Sequence, residues 1–410
     1  MYDLTKEQLD IKARAHEFTE SVLHERAAKA DVTEEYPWDM VQDLTDLGFM
    51  GMTVPKKLGG PGLGFLEVAL VIEEVSRACG STGRIVTEAN MGAIAAILRF
   101  GTAEQRKLCA ELVLAGDKPA ICMSEPNAGS AATAMTTKAV KRGDTYVING
   151  TKHWITGGAD VSKIHFVMAR VEEDGEDQGI GAFIVIHEGE TPGMRASKRH
   201  KGMGLRCLPE MEVQFEDLEV HESMAIKPDG GWKRGFGIII DSYNSQRVGS
   251  AAVCLGISQG ALKTAVAYSK VREQFGRPIA EFQGLQWMMA DMQVMVNAMR
   301  NFVYQAALSS AHTKAGMPEP MLAAQAKLYG SEMSKKVAHD ALQIHGAEGY
   351  SRDLPLERYY RDTRMFSIGG GTAQILRNTV AGEVLGMRLP QTRDGYTKMA
   401  ARAAAAAAAE

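Results

Sequence analysis

The amino-acid sequence predicts an α+β protein in which two helical domains flank a smaller β domain. Apolar residues recur at helical spacing near both ends of the chain, and strand-like alternation fills the segment between them. The chain has 410 residues, more than one ordinary hydrophobic core accommodates, so several domains are expected. The expected division is 1–118 for the N-terminal helical domain, 119–230 for the middle β domain, 231–390 for the C-terminal helical domain and 391–410 for a tail.

The first domain is predicted to be helical because turn signals interrupt its 3.6-residue apolar period, most clearly the Gly-Gly-Pro-Gly run at residues 59–62. In the middle domain, strand-like residues on either side of Asn149-Gly150 predict a hairpin with its turn at that pair. Further strands are expected at residues 165–169, 182–186 and 212–220.

The last domain is predicted to contain two long helices. Pro318 is expected to open the second of them, which continues to about Ile344. The first presents an apolar face, most simply a packing surface, at Leu285, Met288, Met289, Met292, Met295, Met299 and Phe302. The alanine run at 403–409 has no face to bury, so it is expected to be a frayed helix end or an appended segment.

Charge and composition exclude several classes of protein. The net charge of −4 gives no field that would attract nucleic acid or an anionic membrane. No apolar stretch approaches the roughly 20 residues that span a bilayer, and the acidic N-terminus is unlike a signal peptide. Five cysteines without a CxxC pair indicate reduced thiols in the cytoplasm. No metal site is predicted, and no Walker loop, GxGxxG strand turn or HExxH sequence occurs.

Four segments, taken in their order, resemble the acyl-CoA dehydrogenase family. The resemblance covers nearly the whole chain, and unrelated loops and helix ends would have to imitate all four segments at once. It implies FAD as cofactor, a homotetramer, and the family's fold: an N-terminal helical domain, a middle β-barrel-like domain and a C-terminal four-helix bundle. The segments are MSEPNAGS at 123–130, NGTKHWIT at 149–156, REQFG at 272–276 and QIHG at 343–346, the last followed by RD at 361–362 and GTAQI at 371–375.

The resemblance also implies roles for individual residues. Ser124 and Thr156 would hydrogen-bond the polar edge of the flavin, and the Trp154 indole would pack against its face. Arg272 suits a pyrophosphate because a guanidinium grips two oxygens together. Gln274, Phe275, Gln343, Thr372 and Gln374 would complete the FAD site, partly across a subunit interface, and Ser130 and Arg247 would lie near CoA and the acyl thioester.

The sequence departs from the family at the catalytic base. Family members remove the α-proton with a glutamate at one of two positions, and here these positions are Gly370 and Gln246. Glutamine keeps the shape of glutamate but cannot accept a proton near neutral pH, so dehydrogenation by the usual route should be severely impaired. Glu125 belongs to the flavin-site segment, and nothing in the sequence directs Glu88 at an acyl chain. Two independent losses favour a change of chemistry over an inactivated relative.

Two further residues indicate which reaction replaces dehydrogenation. Arg84 matches the position where the glutaryl-CoA dehydrogenase branch binds a distal carboxylate, and a buried arginine implies an anionic partner. Cys122 precedes the first family segment. Each has a plainer interpretation, as a helix-cap or surface arginine and as a small apolar filler. Together with Gln246 they resemble the 3-sulfinopropionyl-CoA desulfinase branch, which converts 3-sulfinopropionyl-CoA and water to propionyl-CoA and sulfite without net oxidation. Arg84, Cys122 and Gln246 are therefore the candidate catalytic residues.

Two alternatives stay open. One is an acyl-CoA dehydrogenase for a dicarboxylic, glutaryl-like substrate with a non-standard base. The other is a catalytically silent flavoprotein that serves as a binding module, like the family's DNA-associated relatives. Such relatives would be expected to have a basic surface, which the acidic balance does not support. The expected partner is an acyl-CoA with an anionic tail, with no nucleic acid and no membrane.

Overall fold

The computed structural model describes residues 3–228, 230–387 and 395–407, with helices towards both ends and a sheet between them, as predicted. The N-terminal helices are α1 Lys6–Phe18, α2 His24–Thr33, α3 Trp38–Asp46, α4 Phe65–Val75, α5 Gly80–Asn90, α6 Ala93–Phe100 and α7 Ala103–Leu114. The middle strands are β1 Ala120–Cys122, β2 Lys138–Arg142, β3 Thr145–Thr156, β4 Ile164–Glu173, β5 Glu176–Ile186, β6 Met194–His200, β7 Glu210–His221 and β8 Ala225–Ile226. The remaining elements are α8 Gly235–Val271, β9 Glu273–Gln274, β10 Arg277–Pro278, α9 Gln283–Ser309, α10 Pro320–His345, α11 Ala347–Tyr350, α12 Leu356–Phe366, α13 Ala373–Leu385 and α14 Gly395–Ala407.

The N-terminal helices are fixed at their ends by side-chain caps and in their middles by burial. Thr5 accepts a hydrogen bond from Gln8 N at the start of α1, while Gln8 Oε1 accepts one from Thr5 N. Helix α4 is buried along nearly its whole length, and it packs against α1, α5 and α8. Helix α5, which carries Arg84, is thereby held between α4 and α8.

The middle region is one mixed sheet with the strand order β6-β7-β3-β2-β4-β5-β8, and β1 pairs in parallel with β4. Alternate side chains of the strands fill a core on one face of the sheet, which includes Phe183, Phe215 and Trp232. The three further strands expected from the sequence are confirmed as parts of β4, β5 and β7.

The predicted hairpin at Asn149-Gly150 is wrong. Strand β3 runs without a turn through this pair, and the register against β7 shifts there by a bulge. The Asn149 amide exchanges two hydrogen bonds with Asp217, and a side chain at Gly150 would collide with Thr137. The two-residue turn lies at residues 143–144, between β2 and β3. The Asn-Gly pair thus forms a bulge, and Gly150 allows the backbone of β3 to lie close to Thr137. It does not reverse the chain.

The C-terminal helices form a bundle in which α8, α9 and α10 pack on one another and α13 packs on α10. The predicted apolar face of α9 is confirmed, because Met292 and Met299 are fully buried and its other members pack partly buried against the same core. Helix α10 begins at Pro320, two residues after the predicted start. Its cap is Glu319, which accepts from Met321 N and Leu322 N.

The five cysteines are free and buried, in agreement with the predicted reduced thiols. None of the helices in the described ranges has the length and apolar character needed to cross a membrane. Of the predicted tail at 391–410, residues 395–407 form α14, whereas residues 391–394 and 408–410 lie outside the described residues. Helix α7 ends at Leu114 and α8 begins at Gly235, near the expected domain boundaries, which stay predictions.

Candidate active site

Arg84 lies in the middle of α5, and its side chain is 19% exposed. Its Nε donates to Glu88 Oε1 at 2.9 Å, one helical turn further on, and its Nη2 donates to Thr156 Oγ1 at 2.7 Å. Its Nη1 faces Met365 Sδ at 3.3 Å and lies 3.9 Å from Glu210 Oε1. The chain itself therefore pairs this arginine, so its burial alone does not require an anionic ligand, and the anionic acyl tail stays a prediction.

The second carboxylate oxygen of Glu88 forms an ion pair with Lys118, whose Nζ lies 2.9 Å away. Lys118 is 1% exposed and also donates to the backbone oxygen of Thr156 at 3.2 Å. Burial favours the neutral acid, but the charges of Lys118 and Arg84 outweigh it and lower the pKa of Glu88. Glu88 is therefore an ionised carboxylate held between two cations, which makes it a poor general base.

Glu210 is held more loosely. It begins β7 directly opposite Thr156 at the end of β3, and the Thr156 hydroxyl lies 2.9 and 3.0 Å from its two carboxylate oxygens. Burial raises the pKa of Glu210, and the attraction of Arg84 only partly offsets this effect. The two carboxylates beside the arginine thus differ: Glu88 is stabilised as an anion, whereas Glu210 is displaced towards its neutral form.

We call the group formed by Arg84, Glu88, Lys118 and Glu210 the arginine cluster. Its last three members were not predicted as site residues. The spacing of four residues between Arg84 and Glu88 on one helix could have revealed the first of them. Lys118 follows α7 and Glu210 begins β7, so their approach to Arg84 depends on how the N-terminal helices pack on the sheet. No local sequence pattern carries that information.

Gln246, at one of the two family base positions, is buried on α8 with 6% exposure. Among the described residues its Oε1 has no hydrogen-bond partner, although the atom is fully buried. Gly92 lies against it so closely that a Cβ there would stand 2.4 Å from Gln246 Oε1. A buried acceptor without a donor is costly, so this oxygen is available to a ligand or to water.

Gly370, at the other base position, has a positive φ of 71° and offers no acid. A Cβ built on it would lie 3.9 Å from Lys327 Cε and from the ring of Tyr243. Lys327 donates to Gly371 O at 2.5 Å, and burial lowers its pKa to about 8. Burial raises the pKa of Tyr243, whose ring faces Gly370, and the charges of Arg84 and Arg247 oppose this rise.

Cys122 is not brought to the arginine cluster. Its side chain is fully buried in the core of the sheet, whereas its neighbours Ile121 and Met123 point the other way and pack against the helical core. Burial raises the pKa of its thiol to about 12, so the thiolate is scarce at neutral pH. This placement favours the packing interpretation of Cys122.

Ser124, Trp154 and Thr156 lie together where β1 and β3 meet, because Ser124 O accepts a hydrogen bond from His153 N at 2.8 Å. The Trp154 indole is 52% exposed and stacks on His200, with ring centroids 4.4 Å apart and ring planes 20° apart. An aromatic ring supported on one face and open on the other suits a planar cofactor. These residues therefore fit a flavin.

The other residues predicted to bind FAD stand on exposed ends of helices. Arg272, Gln274 and Phe275 follow α8, and the Phe275 side chain is 93% exposed. Gln343 is exposed near the end of α10, Gln374 is exposed in α13, and Thr372 caps α13 by accepting from Ile375 N. Within the described ranges, no hydrogen bond or ion pair joins this group to Ser124, Trp154 or Thr156.

Ser130 and Arg247, predicted near CoA and the thioester, differ in setting. Ser130 is exposed in the loop after β1. Arg247 is half-buried on α8 and donates to Asn244 Oδ1 at 2.7 Å, and burial lowers its pKa. We assign no metal ion: His153, His200 and Glu212 approach one another, but His153 pairs with Glu212 at 3.7 Å and His200 supports Trp154.

Profiles of three domains match the chain: "Acyl-CoA dehydrogenase, N-terminal domain" over residues 5–117, the middle domain over 120–218 and the C-terminal domain over 233–385. The chain belongs to the acyl-CoA dehydrogenase family. A Variovorax paradoxus protein named 3-sulfinopropanoyl-CoA desulfinase is 55% identical to it over 404 residues, which are 98% of this chain and 100% of that protein.

Solved structures show the same architecture. A glutaryl-CoA dehydrogenase in complex with glutaryl-CoA is 28% identical, with a TM-score of 0.88 over 95% of this chain and 97% of that one. The FAD complex of PigA is 26% identical, with a TM-score of 0.86 over 95% of this chain and 100% of that one. The resemblance and the fold class predicted from the sequence are thereby confirmed.

Proposed function

We propose that this chain is an FAD-containing desulfinase that converts 3-sulfinopropanoyl-CoA and water to propionyl-CoA and sulfite without net oxidation. The observation that carries the proposal is the absence of an acid at both family base positions, Gln246 and Gly370, in a chain that also has the buried, ion-paired Arg84. The name of the Variovorax paradoxus relative, at 55% identity over nearly the whole chain, supports the same reaction.

Arg84 would bind the sulfinate of the acyl tail. Its Nε and Nη2 already donate to Glu88 and Thr156, which fixes the plane of the guanidinium. Its Nη1 contacts the weakly accepting Met365 sulfur and keeps the capacity to donate to a sulfinate oxygen. A charge-assisted hydrogen bond from a guanidinium whose orientation is already fixed would hold the carbon–sulfur bond in one place.

The reaction breaks the bond between carbon and sulfur and leaves its electron pair on carbon. That carbon must gain a proton, and water must capture the sulfur dioxide fragment to give sulfite, so atoms and electrons balance without an external oxidant. Gln246 Oε1, buried and without a partner among the described residues, would accept a hydrogen bond from that water. An amide at this position orients water without removing the α-proton, which separates this chemistry from dehydrogenation.

FAD would be held by Ser124, Trp154 and Thr156, with Arg272, Gln274, Phe275, Gln343, Thr372 and Gln374 in its outer part. When bound, it supplies an electron-accepting ring beside the acyl chain. Thr156, one of the residues proposed to hold the flavin, is also hydrogen-bonded to Arg84 and Glu210. The proposed flavin site and the proposed site of the acyl tail therefore share this residue. The exposed Phe275 and Gln374 would be covered in a homotetramer, where a second subunit completes the site.

Ser130 and Arg247 would contact CoA and the thioester, and the enzyme would work in the reducing cytoplasm, which the five free thiols support. A chemical role for Cys122 would require substrate to reach its buried thiol, and its position in the sheet core argues against that.

The decisive experiment measures sulfite and propionyl-CoA after adding 3-sulfinopropanoyl-CoA to the FAD-loaded protein without an electron acceptor. Equal amounts of both products, with the flavin oxidised at the end, are expected. No sulfite, together with flavin bleaching by glutaryl-CoA and turnover that depends on an acceptor, would overturn the proposal in favour of a dicarboxylic acyl-CoA dehydrogenase.

A further inference from the structure

Among the described residues, Glu210 is the carboxylate of the arginine cluster that lies farther from its nearest cation. Glu88 has Arg84 Nε and Lys118 Nζ each at 2.9 Å, whereas the nearest cationic nitrogen to Glu210, Arg84 Nη1, is 3.9 Å away. We propose that Glu210 takes up a proton when an anionic acyl tail binds Arg84, and that it then donates this proton to the carbon released from sulfur. The second half rests on the proposed desulfinase function, and the first does not.

The charges of the cluster explain the uptake. Arg84 and Lys118 carry two positive charges, and Glu88 and Glu210 balance them with two negative charges in a site where all four side chains are at most 19% exposed. A sulfinate beside Arg84 adds a third negative charge. Two anions that share one cation in a poorly solvated site raise the proton affinity of the less stabilised one. That anion is Glu210, because two nearby nitrogens stabilise Glu88.

The groups around Glu210 come from several elements, and in the described part of the chain its cationic neighbours are Arg84 and, with a weaker effect, Lys118. Arg84 and Glu88 face it from α5, and Lys118 acts on it from the segment after α7. The Thr156 hydroxyl faces it from β3, and the charge of Glu210 in turn acts on Tyr243 of α8. Burial alone already raises the pKa of Glu210 before any ligand is present.

The position of Glu210 also suits the proposed proton transfer to the carbon released from sulfur. Arg84 Nη1, which donates to the weakly accepting Met365 sulfur, is the atom proposed to bind the sulfinate, and Glu210 Oε1 lies 3.9 Å from it. A sulfinate oxygen is two bonds from the carbon that loses sulfur, so with the sulfinate on Nη1 a carboxylate 3.9 Å from that nitrogen would lie near the carbon. The Glu210 O–H bond breaks as the new C–H bond forms, and the electron pair for that bond comes from the broken C–S bond. Water adds to the sulfur dioxide to give hydrogensulfite, and the proton released returns to Glu210.

The first test uses succinyl-CoA, which carries a carboxylate in place of the sulfinate and has no carbon–sulfur bond to break at its tail. Calorimetric titration of the FAD-loaded protein at neutral pH, in two buffers with different heats of ionisation, counts the protons taken up on binding. Wild type should take up close to one proton with succinyl-CoA and none with butyryl-CoA. Glu210→Gln should take up none with either. Uptake that persists in Glu210→Gln, or no uptake by wild type, would overturn the proposal.

The second test follows the donation. With 3-sulfinopropanoyl-CoA, Glu210→Gln should lose at least about 100-fold in kcat, the usual contribution of a positioned acid. Its affinity for succinyl-CoA should be kept or improved because a negative charge has been removed. The matched control is Glu219→Gln, an exposed carboxylate on the same strand, which should match wild type in both tests. A Glu210→Gln protein with wild-type kcat refutes donation.

The succinyl-CoA binding measurement shows whether Glu210→Gln is folded, so a loss of activity cannot be mistaken for misfolding. If wild type itself releases no sulfite, the desulfinase proposal fails on its own. The proton count with succinyl-CoA still decides the first half of the inference in that case.

Discussion

Arg84 Nη2 and the hydroxyl of Thr156 form a 2.7 Å hydrogen bond between the N-terminal helices and the sheet. The arginine stands where the acyl tail is expected, and the threonine stands on the strand that would carry the flavin. Thr156 also donates onward to Glu210, so one hydroxyl joins the tail site, the cofactor site and a carboxylate. A change at any of these groups should therefore be felt at the others.

Arg84→Lys should lower kcat/KM for 3-sulfinopropanoyl-CoA by about 10- to 100-fold. Lysine keeps the charge but cannot direct separate N–H groups at Glu88, Thr156 and a sulfinate from one rigid plane, and each lost bond to a charged group is worth about 1.5–3 kcal/mol. Steady-state sulfite release measures the effect. Arg195→Lys, an exposed arginine that pairs with Glu216 at 3.0 Å, is the control. Full activity of Arg84→Lys would rule out the geometric role of the guanidinium.

Lys118→Met should destabilise the protein by roughly 3 kcal/mol or more, because it leaves the buried Glu88 carboxylate with one cation in place of two. Urea unfolding measures this cost. Lys107→Met, which removes an exposed pair with Glu111, should change stability by no more than about 0.5 kcal/mol. Combining Lys118→Met with Glu88→Gln should recover part of the loss. An unfolding midpoint equal to that of wild type would show that the lysine is not needed to keep Glu88 charged.

Cys122→Ala should keep sulfite release within a few-fold of wild type while costing about 1 kcal/mol of stability, since it removes one sulfur from the core of the sheet. Cys254→Ala removes an equally buried thiol from α8 and serves as the comparison. A drop in activity well beyond that of Cys254→Ala, in a protein that still unfolds cooperatively, would restore a chemical role for Cys122.

Gln246→Glu should introduce acceptor-dependent oxidation of butyryl-CoA, because it returns a carboxylate to a family base position. Burial should raise the pKa of that carboxylate, so the new activity should increase as pH rises and the acid ionises. Anaerobic flavin bleaching and dye reduction are the measurements. Gln293→Glu, an exposed position on α9, should leave both at the wild-type level. Failure of Gln246→Glu to bleach the flavin at any pH would mean that the glutamine does not face the acyl chain.

The family and the layered architecture could be predicted from sequence because each rests on short local patterns that occur in order. The hairpin prediction failed because Asn149-Gly150 satisfies a turn and a bulge equally well, and only the partner strand, through Asp217, decides between them. Only half of the arginine cluster could be predicted from the sequence. Arg84 and Glu88 share a helix face, but Lys118 and Glu210 reach them only through the packing of helices on the sheet.

The cluster also bears on the order in which this chain can fold. Its members are contributed by α5, by the segment after α7, and by the beginning of β7, which is made much later. Arg84 and Glu88 are close enough in sequence to neutralise each other as soon as their helix forms, and Lys118 arrives with the next helices. Arg84 can therefore be paired with Glu88 before the protein interior forms around it. Glu210, the last to be synthesised, joins three groups that can already pair with one another, and its 3.9 Å approach to Arg84 is the longest ion pair of the cluster.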